Sequence, residues 1–307
     1  MKILITGASG FIGRKVYDRL TKNHEHEVVS CVRRKNSNSP VSSLEIGTIN
    51  SKTNWTDALK DCDVVIHLAA RAHILEQNED NPIELFRESN TKATINLANQ
   101  AAQAGVKRFI FISSIGVNGS SNKTPFKETD CPEPSEPYAI SKWEAEQGLW
   151  GIQGNTDLEI VIIRPPLVYG SNAPGNFGKM VRWIESGIPL PLGAINNKRS
   201  LISVDNLTDI ILRCVTLKEA ANQLFLVSDG HNISTTELLR AIAKAKKVPS
   251  RLVPIPPIAL KIAAKLIGKQ EIAKKIIDSL QVDPTKSKDL LGFRSRKKTT
   301  DLIKEII

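Results

Sequence analysis

Short apolar runs that alternate with helical stretches constrain the fold of this 307-residue chain more than any other feature. Each run is apolar throughout, which is typical of a parallel strand buried on both faces of a sheet. The stretches between them place apolar residues four positions apart, as at Ile12, Val16 and Leu20, so that these residues share one helix face. The predicted strands cover residues 3–5, 28–32, 64–68, 109–112 and 160–163. Repeated strand–helix–strand units predict an α/β fold with a doubly wound parallel sheet.

The pattern changes after residue 165, where prolines divide the chain into loops and short helices. One more strand is predicted at residues 223–227, and a lysine-rich helical tail follows residue 254. These features indicate a smaller, mixed C-terminal lobe beside the sheet. The predicted division gives residues 1–166 plus 199–229 to the sheet domain and residues 167–198 plus 230–307 to the second lobe.

The charge balance is basic, with 42 Lys and Arg against 32 Asp and Glu and a net charge of +10. This suits an anionic substrate, a phosphate-rich cofactor, nucleic acid or an anionic membrane surface, and it is equally typical of a merely basic soluble surface. The sequence contains no basic block with interleaved aromatic residues, which argues against nucleic-acid binding.

The four cysteines are scattered, and neither they nor the five histidines have metal-ligand spacing, so no disulfide and no metal site is predicted. The first apolar run is too short for a signal sequence. No run of about 18 apolar residues is present that could span a membrane. We therefore expect a cytoplasmic protein.

A glycine-rich turn follows the first predicted strand and opens the first predicted helix. Its glycines are Gly7, Gly10 and Gly13, and Phe11 and Ile12 lie between the last two. Glycine allows a tight turn, and the backbone N–H groups at a helix N-terminus bind the pyrophosphate of a dinucleotide. The alternative is a turn without a ligand, but its place at the start of an alternating α/β chain favours a dinucleotide. The sheet domain is therefore predicted to be a dinucleotide-binding Rossmann domain.

Further motifs follow in order along the chain. They are G-x-x-G-x-x-G at residues 7–13, His-Leu-Ala-Ala at 67–70, Asn90, Ser113-Ser114, Y-x-x-x-K at 138–142 and Arg164-Pro165. In this order and at these distances, the sequence resembles the extended short-chain dehydrogenase/reductases over nearly its whole length. The resemblance implies an apolar segment beside the cofactor, formed by Leu68, Ala69 and Ala70. It also implies that Asn90, which opens the next helix, is structural.

Ser114, Tyr138 and Lys142 form the predicted catalytic set. Tyr138 and Lys142 are four positions apart, so they share one face of a helix. An ammonium beside a phenol stabilises the phenolate, and we expect it to lower the pKa of Tyr138 from its usual value of about 10. Ser114 would hydrogen-bond the reacting oxygen, and the resemblance implies that Lys142 also holds the nicotinamide ribose. Y-x-x-x-K alone is typical of an ordinary helix, but together with Ser114 it predicts hydride transfer at a hydroxyl- or keto-bearing carbon.

The second lobe resembles that of the NAD-dependent epimerase/dehydratase group, which acts on nucleotide sugars. The resemblance implies that Asn176 contacts the diphosphate of a UDP-sugar substrate and that Leu192 belongs to the loop that packs against the uracil. It further implies that Arg199 clamps the diphosphate, for which a guanidinium fork is suited. A solvated loop residue is the alternative for Arg199.

Two reactions at C4 of the sugar remain once dehydration is set aside. The 4,6-dehydratases follow their catalytic hydroxyl with an Asp–Glu pair, whereas Ile115 and Gly116 follow Ser114 here. An epimerase oxidises C4 and returns the hydride to the other face, whereas a reductase reduces a 4-keto sugar once. Residues 69–73, 164–170 and 225–230 resemble a bacterial polysaccharide-cluster group that includes 4-reductases forming UDP-N-acetyl-6-deoxyhexosamines.

The end of the second predicted strand bears on the choice of cofactor. Val32 stands where NAD enzymes have an acidic residue, and Arg33 and Arg34 follow it. This loses the partner of a ribose 2′-hydroxyl and offers charge to a 2′-phosphate, so NADP(H) is favoured and NAD(H) remains possible. Two solvated arginines are the alternative. The resemblance places Thr48 and Ile49 near the adenine, where many relatives have an Asp and an apolar residue.

These features favour an NADPH-dependent 4-keto reductase of a UDP-linked (N-acetyl)hexosamine in bacterial polysaccharide biosynthesis. Leu167 also favours the reductase, because the resemblance places it where typical UDP-galactose epimerases have a substrate-contacting Asn. A UDP-glucose or UDP-N-acetylglucosamine 4-epimerase that retains its NAD is the alternative. A non-catalytic NADP-binding sensor is a distant one, because Ser114, Tyr138 and Lys142 are all retained.

The resemblance also implies a homodimer that pairs through the helix after Asn90 and the helix of Tyr138. The small and apolar residues expected in this interface include Ala93, Leu97, Ala101 and Trp143.

The helical tail over residues 254–277 combines apolar and basic side chains. They are Ile258, Ile262, Leu266 and Ile267 with Lys261, Lys265, Lys269, Lys274 and Lys275. Contact with an anionic membrane surface is one interpretation, and it would suit a lipid-linked sugar. A core-packed helix with a solvated basic side is more common and is expected here. Earlier in the chain, His73 is interpreted as a peripheral residue and not as a catalyst.

Overall fold

A computed structural model describes residues 1–22, 25–35, 43–72, 81–295 and 297–307, so that His73 lies outside the described residues. The strands are β1 Lys2–Thr6, β2 Glu27–Val32, β3 Ser43–Glu45, β4 Val64–His67, β5 Arg108–Ile112, β6 Glu159–Arg164, β7 Leu167–Tyr169, β8 Leu201–Ser203 and β9 Gln223–Leu226. Seven of them form one sheet in the order β3-β2-β1-β4-β5-β6-β9, and every neighbouring pair is parallel. The predicted doubly wound parallel sheet and its six strands are confirmed.

Helices connect the strands and extend the second half of the chain. They are α1 Phe11–Thr21, α2 Thr56–Leu59, α3 Pro82–Phe86, α4 Ala93–Gln103, α5 Pro137–Gln153, α6 Gly175–Glu185, α7 Val204–Thr216, α8 Thr235–Ala245, α9 Pro257–Leu266, α10 Gln270–Ile277, α11 Thr285–Leu291 and α12 Thr299–Ile306. Local signals mark several helix starts. Pro137 occupies the first turn of α5, and a capping box of Ser234 and Glu237 begins α8.

The two faces of the sheet carry separate apolar clusters, because successive strand residues point to opposite sides. Ile3 and Ile5 of β1 pack with helices α1 and α7, whereas Leu4 packs with α4 and α5 on the other face. The chain is therefore layered as helices, sheet and helices. The carboxyl ends of the strands lie together at one edge, where α/β proteins bind their ligands.

A third cluster lies beyond the sheet domain. It combines residues of β7, β8, α6, α8, α10 and α12 and includes Tyr169, Phe177 and Ile303. The parallel pair β7–β8 was not predicted, and neither was β3, because three-residue strands are too short to display a period. The boundaries of the second lobe stay a prediction.

The helix that carries Asn90 begins earlier than predicted. Helical structure starts at Pro82, and a π-helical segment over Arg87–Lys92 joins α3 to α4. Asn90 therefore lies inside a helix and does not open one. Pro82 could have indicated this earlier start, because Pro is favoured in the first turn of a helix.

Three residues predicted to form a dimer interface are instead part of the core. Ala93, Leu97 and Ala101 are completely buried within the chain, and Leu97 and Ala101 belong to the cluster that includes residues of the sheet and of α5. Trp143 is half-buried. A homodimer stays a prediction, and its interface would have to use other faces of these helices.

The expectation that the tail packs in the core is wrong for its apolar stripe. Ile258 and Leu266 of α9 are 71% and 83% exposed. Only Ala264 of that helix is buried. Within the described residues, no helix has the length and apolarity needed to cross a membrane.

Candidate active site

The glycine turn between β1 and α1 is closely packed. Gly7 has a φ of +72°, and a Cβ added there would lie 2.7 Å from the backbone nitrogen of Ala69. A Cβ on Gly13 would lie 2.1 Å from the carbonyl oxygen of Gly7. Both positions require glycine, since a larger residue would push backbone against backbone. The turn thereby brings the N-terminus of α1 against the end of β4.

The other residues predicted to contact the cofactor lie along the same edge of the sheet. Leu68 and Ala69 follow β4, where both of their backbone nitrogens donate hydrogen bonds to Thr6 at 3.2–3.3 Å, and the exposed Ala70 comes next. Arg33 is exposed just past the end of β2. A third group lies beyond β3, where Thr48 is exposed and Ile49 is half-buried. These positions are compatible with a dinucleotide that crosses the carboxyl ends of the strands.

Ser114 and Tyr138 come from neighbouring elements. Ser114 lies two residues after β5 and caps a 3₁₀ turn over Ile115–Val117, where its Oγ accepts a hydrogen bond from the nitrogen of Gly116 at 3.1 Å. Tyr138 lies in the first turn of α5. A Cβ added to Gly116 would lie 3.4 Å from Ser114 Oγ and 3.3 Å from Ala139 Cβ. The turn after β5 therefore packs directly against the start of the helix that carries Tyr138.

Lys142 lies one helical turn after Tyr138 and is almost completely buried. Its Nζ donates to the carbonyl oxygen of Ile112 at 2.8 Å and lies 4.3 Å above the ring centroid of Phe111. Burial lowers the pKa of Lys142 to about 7, and the nearby Glu146 carboxylate opposes this shift. The lysine is thus held at the end of β5, and burial favours its neutral form.

The pKa of Tyr138 shifts in the direction opposite to the predicted one. The Lys142 ammonium lies 6.0 Å from the centre of the phenol ring, and Phe86 packs edge-on against that ring at 6.1 Å. Burial raises the pKa of Tyr138 to about 12. The expectation of a lowered pKa fails because the phenol loses solvent while the ammonium is directed toward the carbonyl of Ile112.

Asn90 connects the π-helical segment to α5, the helix that carries Tyr138 and Lys142. Its side chain accepts a hydrogen bond from the nitrogen of Arg71 at 2.8 Å and donates to Ser141 Oγ at 3.1 Å. Thr91 Oγ1 donates to the carbonyl oxygen of Ser141 at 2.8 Å. A π-bulge displaces side chains from the regular helical register, which is why such segments recur at functional sites. The bulge here directs two polar side chains onto the residue beside Lys142.

A buried ionic network behind the catalytic set was not predicted. Glu146 is one turn after Lys142, and its carboxylate accepts hydrogen bonds from Ser113 Oγ and from Arg164 Nε, the latter at 3.0 Å. Arg164 Nη1 also donates to Asn118 Oδ1 at 2.8 Å. The side chains of Glu146 and Arg164 are 0% and 2% exposed. The network joins α5 to the ends of β5 and β6. In the sequence it is indicated only by the four-residue spacing that puts Glu146 on the same helix face as Lys142.

The predicted substrate contacts have different surroundings. Asn176 is exposed in the first turn of α6, and Leu192 is buried in the cluster of the second lobe. Arg199 is partly buried, and its Nη1 donates to the carbonyl oxygens of Lys275 and Asp278 at 2.7 and 3.2 Å. Burial lowers the pKa of Arg199, and Asp278 opposes the shift. The roles of all three in substrate binding stay predictions.

A cavity of about 630 Å³ adjoins the glycine turn. It is lined by Ser9, Gly10 and Phe11 on one side and by Asn172 and Pro174 on the other. The described residues that line it do not include Ser114, Tyr138 or Lys142. We therefore do not assign the reacting part of a ligand to this cavity.

A family model described as the NAD dependent epimerase/dehydratase family matches residues 3–227. The chain belongs to this family. It is 44% identical over 295 residues to a UDP-glucose 4-epimerase of Vibrio cholerae, covering 95% of this chain and 90% of that one. It is 26% identical to an N-acetyl-alpha-D-glucosaminyl-diphospho-ditrans,octacis-undecaprenol 4-epimerase of Escherichia coli O157:H7, covering 92% and 88%.

Solved structures have the same fold. A UDP-glucuronic acid 4-epimerase from Bacillus cereus in complex with NAD superposes with a TM-score of 0.79 at 21% identity, covering 99% of this chain and 96% of that one. At this identity the similarity shows the fold alone. The predicted resemblance is confirmed by the family match over residues 3–227 and by the 44% identity to the Vibrio cholerae protein.

The residues present fit the nicotinamide dinucleotide that the epimerase/dehydratase family name implies. Gly10 caps α1, and no described side chain forms a capping hydrogen bond there. The first turn of α1 contains no acidic residue that would repel an anion. Unoccupied N–H groups and the positive end of the helix dipole together bind phosphate groups. Glycine at positions 7 and 13 also keeps side chains out of this closely packed turn.

Proposed function

We propose that this member of the epimerase/dehydratase family transfers hydride at C4 of a UDP-linked hexose or N-acetylhexosamine, with epimerisation at C4 as the reaction. The observation that carries the proposal is the arrangement of Ser114, Tyr138 and Lys142 around the end of β5. The 44% identity to the Vibrio cholerae UDP-glucose 4-epimerase supports the C4 chemistry and the UDP-sugar. A role in polysaccharide biosynthesis belongs to the same proposal.

The bound nicotinamide dinucleotide would supply a hydride acceptor and donor. Tyr138 would take the proton of the C4 hydroxyl during oxidation and return it during reduction. Ser114 would hydrogen-bond the same oxygen and hold it near the phenol. Lys142, which is anchored on the Ile112 carbonyl, would hold the cofactor ribose and provide the positive charge beside the phenol.

The raised pKa of Tyr138 favours it as a proton donor. With a pKa raised to about 12, the phenol keeps its proton at neutral pH. Oxidation of a hydroxyl requires the phenolate, which a nearby positive charge stabilises. Protonation of Lys142, whose pKa is about 7, would therefore favour the oxidative half of an epimerase cycle.

An NADPH-dependent 4-keto reductase is the second candidate, and the residues at the end of β2 favour it. Val32 is buried and has no hydrogen-bonding side chain for a ribose diol, whereas Arg33 is exposed and can pair with a 2′-phosphate. A charge-assisted contact contributes roughly 1.5–3 kcal/mol, which is about ten- to a hundredfold in affinity. Arg33→Ser is expected to weaken NADP(H) binding by that factor and to leave NAD(H) binding unchanged, as titrations with both cofactors would measure.

Two assays distinguish the candidates. The protein is incubated with UDP-glucose or UDP-N-acetylglucosamine without added cofactor, and the C4 epimers are quantified by NMR. It is separately given a UDP-4-keto-6-deoxy-N-acetylhexosamine with NADPH, and absorbance is followed. Interconversion of epimers supports the epimerase, and NADPH consumption without interconversion supports the reductase. Cofactor binding with neither reaction would refute both and leave a cofactor sensor.

A further inference from the structure

The outer surface of α9 and α10 is apolar and unusually exposed. We call it the α9–α10 face and define it by the exposed residues Ile258, Ile262, Leu266, Ile267 and Ile272. Three of these are spaced by four positions on α9 and form one stripe. At 3.6 residues per turn, the stripe points about 180° away from Leu260 and Ala264, which pack toward the protein. The helix therefore presents its apolar side to solvent.

Lysines border this stripe. Lys261 and Lys265 lie along one edge of it on α9, Lys269 joins the two helices, and Lys274 and Lys275 lie on α10. Between Pro257 and Asp278 these five lysines are accompanied by two acidic residues. Lys261 and Lys274 form ion pairs at 2.7 and 2.8 Å, but such exposed pairs are weak. Within the described residues, no ion pair involves Lys265 or Lys269.

The face adjoins the candidate active site. Lys275 Nζ lies 2.8 Å from a carboxylate oxygen of Glu136, which precedes α5 and is two residues from Tyr138. The carbonyl oxygens of Lys275 and Asp278 accept the hydrogen bonds of Arg199. The end of α10 thus lies between the start of the catalytic helix and a predicted substrate contact.

We propose that the α9–α10 face docks on an anionic lipid surface. Exposed Ile and Leu side chains would enter the acyl boundary, and the bordering lysines would contact anionic headgroups, which is the arrangement of an interfacial amphipathic helix. The net charge of +10 also attracts the chain to an anionic surface. A second copy of the chain fits less well, because a twofold interface through this face would bring the lysines of both copies together. The proposal does not depend on which C4 reaction the site performs.

Vesicle sedimentation of the full chain tests the proposal. Vesicles of equal parts phosphatidylglycerol and phosphatidylcholine are compared with vesicles of phosphatidylcholine alone. We expect binding to the anionic vesicles that falls as salt is added. Leu266→Ser should weaken it about tenfold through lost apolar burial. Lys265→Gln with Lys269→Gln should weaken it on the order of twentyfold, because each lysine near an anionic surface contributes about fivefold.

Matched control variants carry the same changes elsewhere on the surface. Leu290→Ser removes an exposed Leu from α11, and Lys60→Gln with Lys218→Gln removes two exposed lysines. Both controls should bind vesicles as the unchanged chain does, and thermal melts should show that every variant is folded. Absence of binding to anionic vesicles, or equal losses in the controls, would overturn the proposal. So would gel filtration that shows a dimer abolished by Leu266→Ser without vesicle binding, since the face would then be a protein interface.

Discussion

Glu146→Gln removes the negative charge from the buried network behind the catalytic set. Glu146 and Arg164 are 0% and 2% exposed, so the guanidinium would be left buried without its counter-charge. Loss of one partner of a buried ion pair typically costs about 3–5 kcal/mol of unfolding free energy. At an unfolding entropy of about 2.1 cal/mol/K per residue, that corresponds for 307 residues to a decrease of roughly 5–8 °C in Tm.

A double-mutant cycle with Arg164→Met measures the interaction energy between Glu146 and Arg164 separately from their other contacts. The double variant removes both charges. The amide introduced at position 146 and the Asn118 side chain then lack their Arg164 partner, at a cost of about 1–3 kcal/mol, whereas Ser113 keeps an oxygen acceptor. We therefore expect the double variant to be more stable than either single variant, with a coupling energy of at least about 3 kcal/mol in urea unfolding. Glu305→Gln is the control, since its partner Lys297 is exposed and the loss should stay below about 1 kcal/mol.

The catalytic consequence has its own readout. The Glu146 carboxylate raises the pKa of Lys142, so its removal should lower that pKa further below about 7 and shift the pH profile of kcat in the acid direction. A merely structural role would lower the amount of folded protein and leave the profile in place. Additive losses in the cycle together with an unshifted pH profile would refute the reasoning.

Three further predictions concern the site. Tyr138→Phe should abolish turnover while cofactor still binds, because only the phenolic proton is lost; more than a tenth of the original activity would contradict its role. Lys142→Met should remove a pH dependence of stability, because folding lowers the pKa of Lys142 from 10.5 to about 7. Between these two pH values the unfolded chain binds more protons than the folded one, so the unfolding free energy of the original protein rises by up to about 1.4 kcal/mol per pH unit. Urea unfolding at several pH values measures this slope. Gly13→Ala should prevent cofactor binding in a titration and destabilise the chain by more than about 1–3 kcal/mol in a thermal melt, because its Cβ would lie 2.1 Å from the Gly7 carbonyl oxygen. Gly151→Ala is the control: a Cβ there has no atom within 4 Å, so cofactor binding should be unchanged and stability unchanged or higher.

The sheet could be predicted from sequence because each central strand is buried on both faces and is therefore apolar throughout. The three-residue strands β3, β7 and β8 are too short to show such a run, and they are recognised only by their pairing with β2 or with each other. The residues predicted for a dimer interface were misassigned: Ala93, Leu97 and Ala101 are buried within the chain itself. Small apolar residues on a helix indicate close packing, but the sequence does not say whether the partner is the same chain or another.

The candidate catalytic residues were proposed from the order and spacing of motifs, and their catalytic role stays a prediction. The structure places Tyr138 and Lys142 one turn apart on α5, as their spacing predicts, but the direction of the Tyr138 pKa shift was not predicted. The direction of a pKa shift depends on burial and on where the ammonium points, and both are tertiary properties. The carbonyl of Ile112 and the ring of Phe111 hold the Lys142 ammonium, and neither contact has a sequence signal.

Helix α5 carries two residues of the predicted catalytic set, Tyr138 and Lys142. Most surface helices are held by one apolar stripe, which permits small rotations and shifts. This helix is instead fixed by polar contacts on several sides: Ser141 to the π-helical segment, Lys142 to the end of β5 and Glu146 to the end of β6. Buried polar contacts are costly to break and have narrow geometry, so they fix the rotation of the helix about its axis as well as its depth. That rotation determines where the Tyr138 hydroxyl lies relative to Ser114, and displacements of about 1 Å are enough to slow such chemistry a hundredfold.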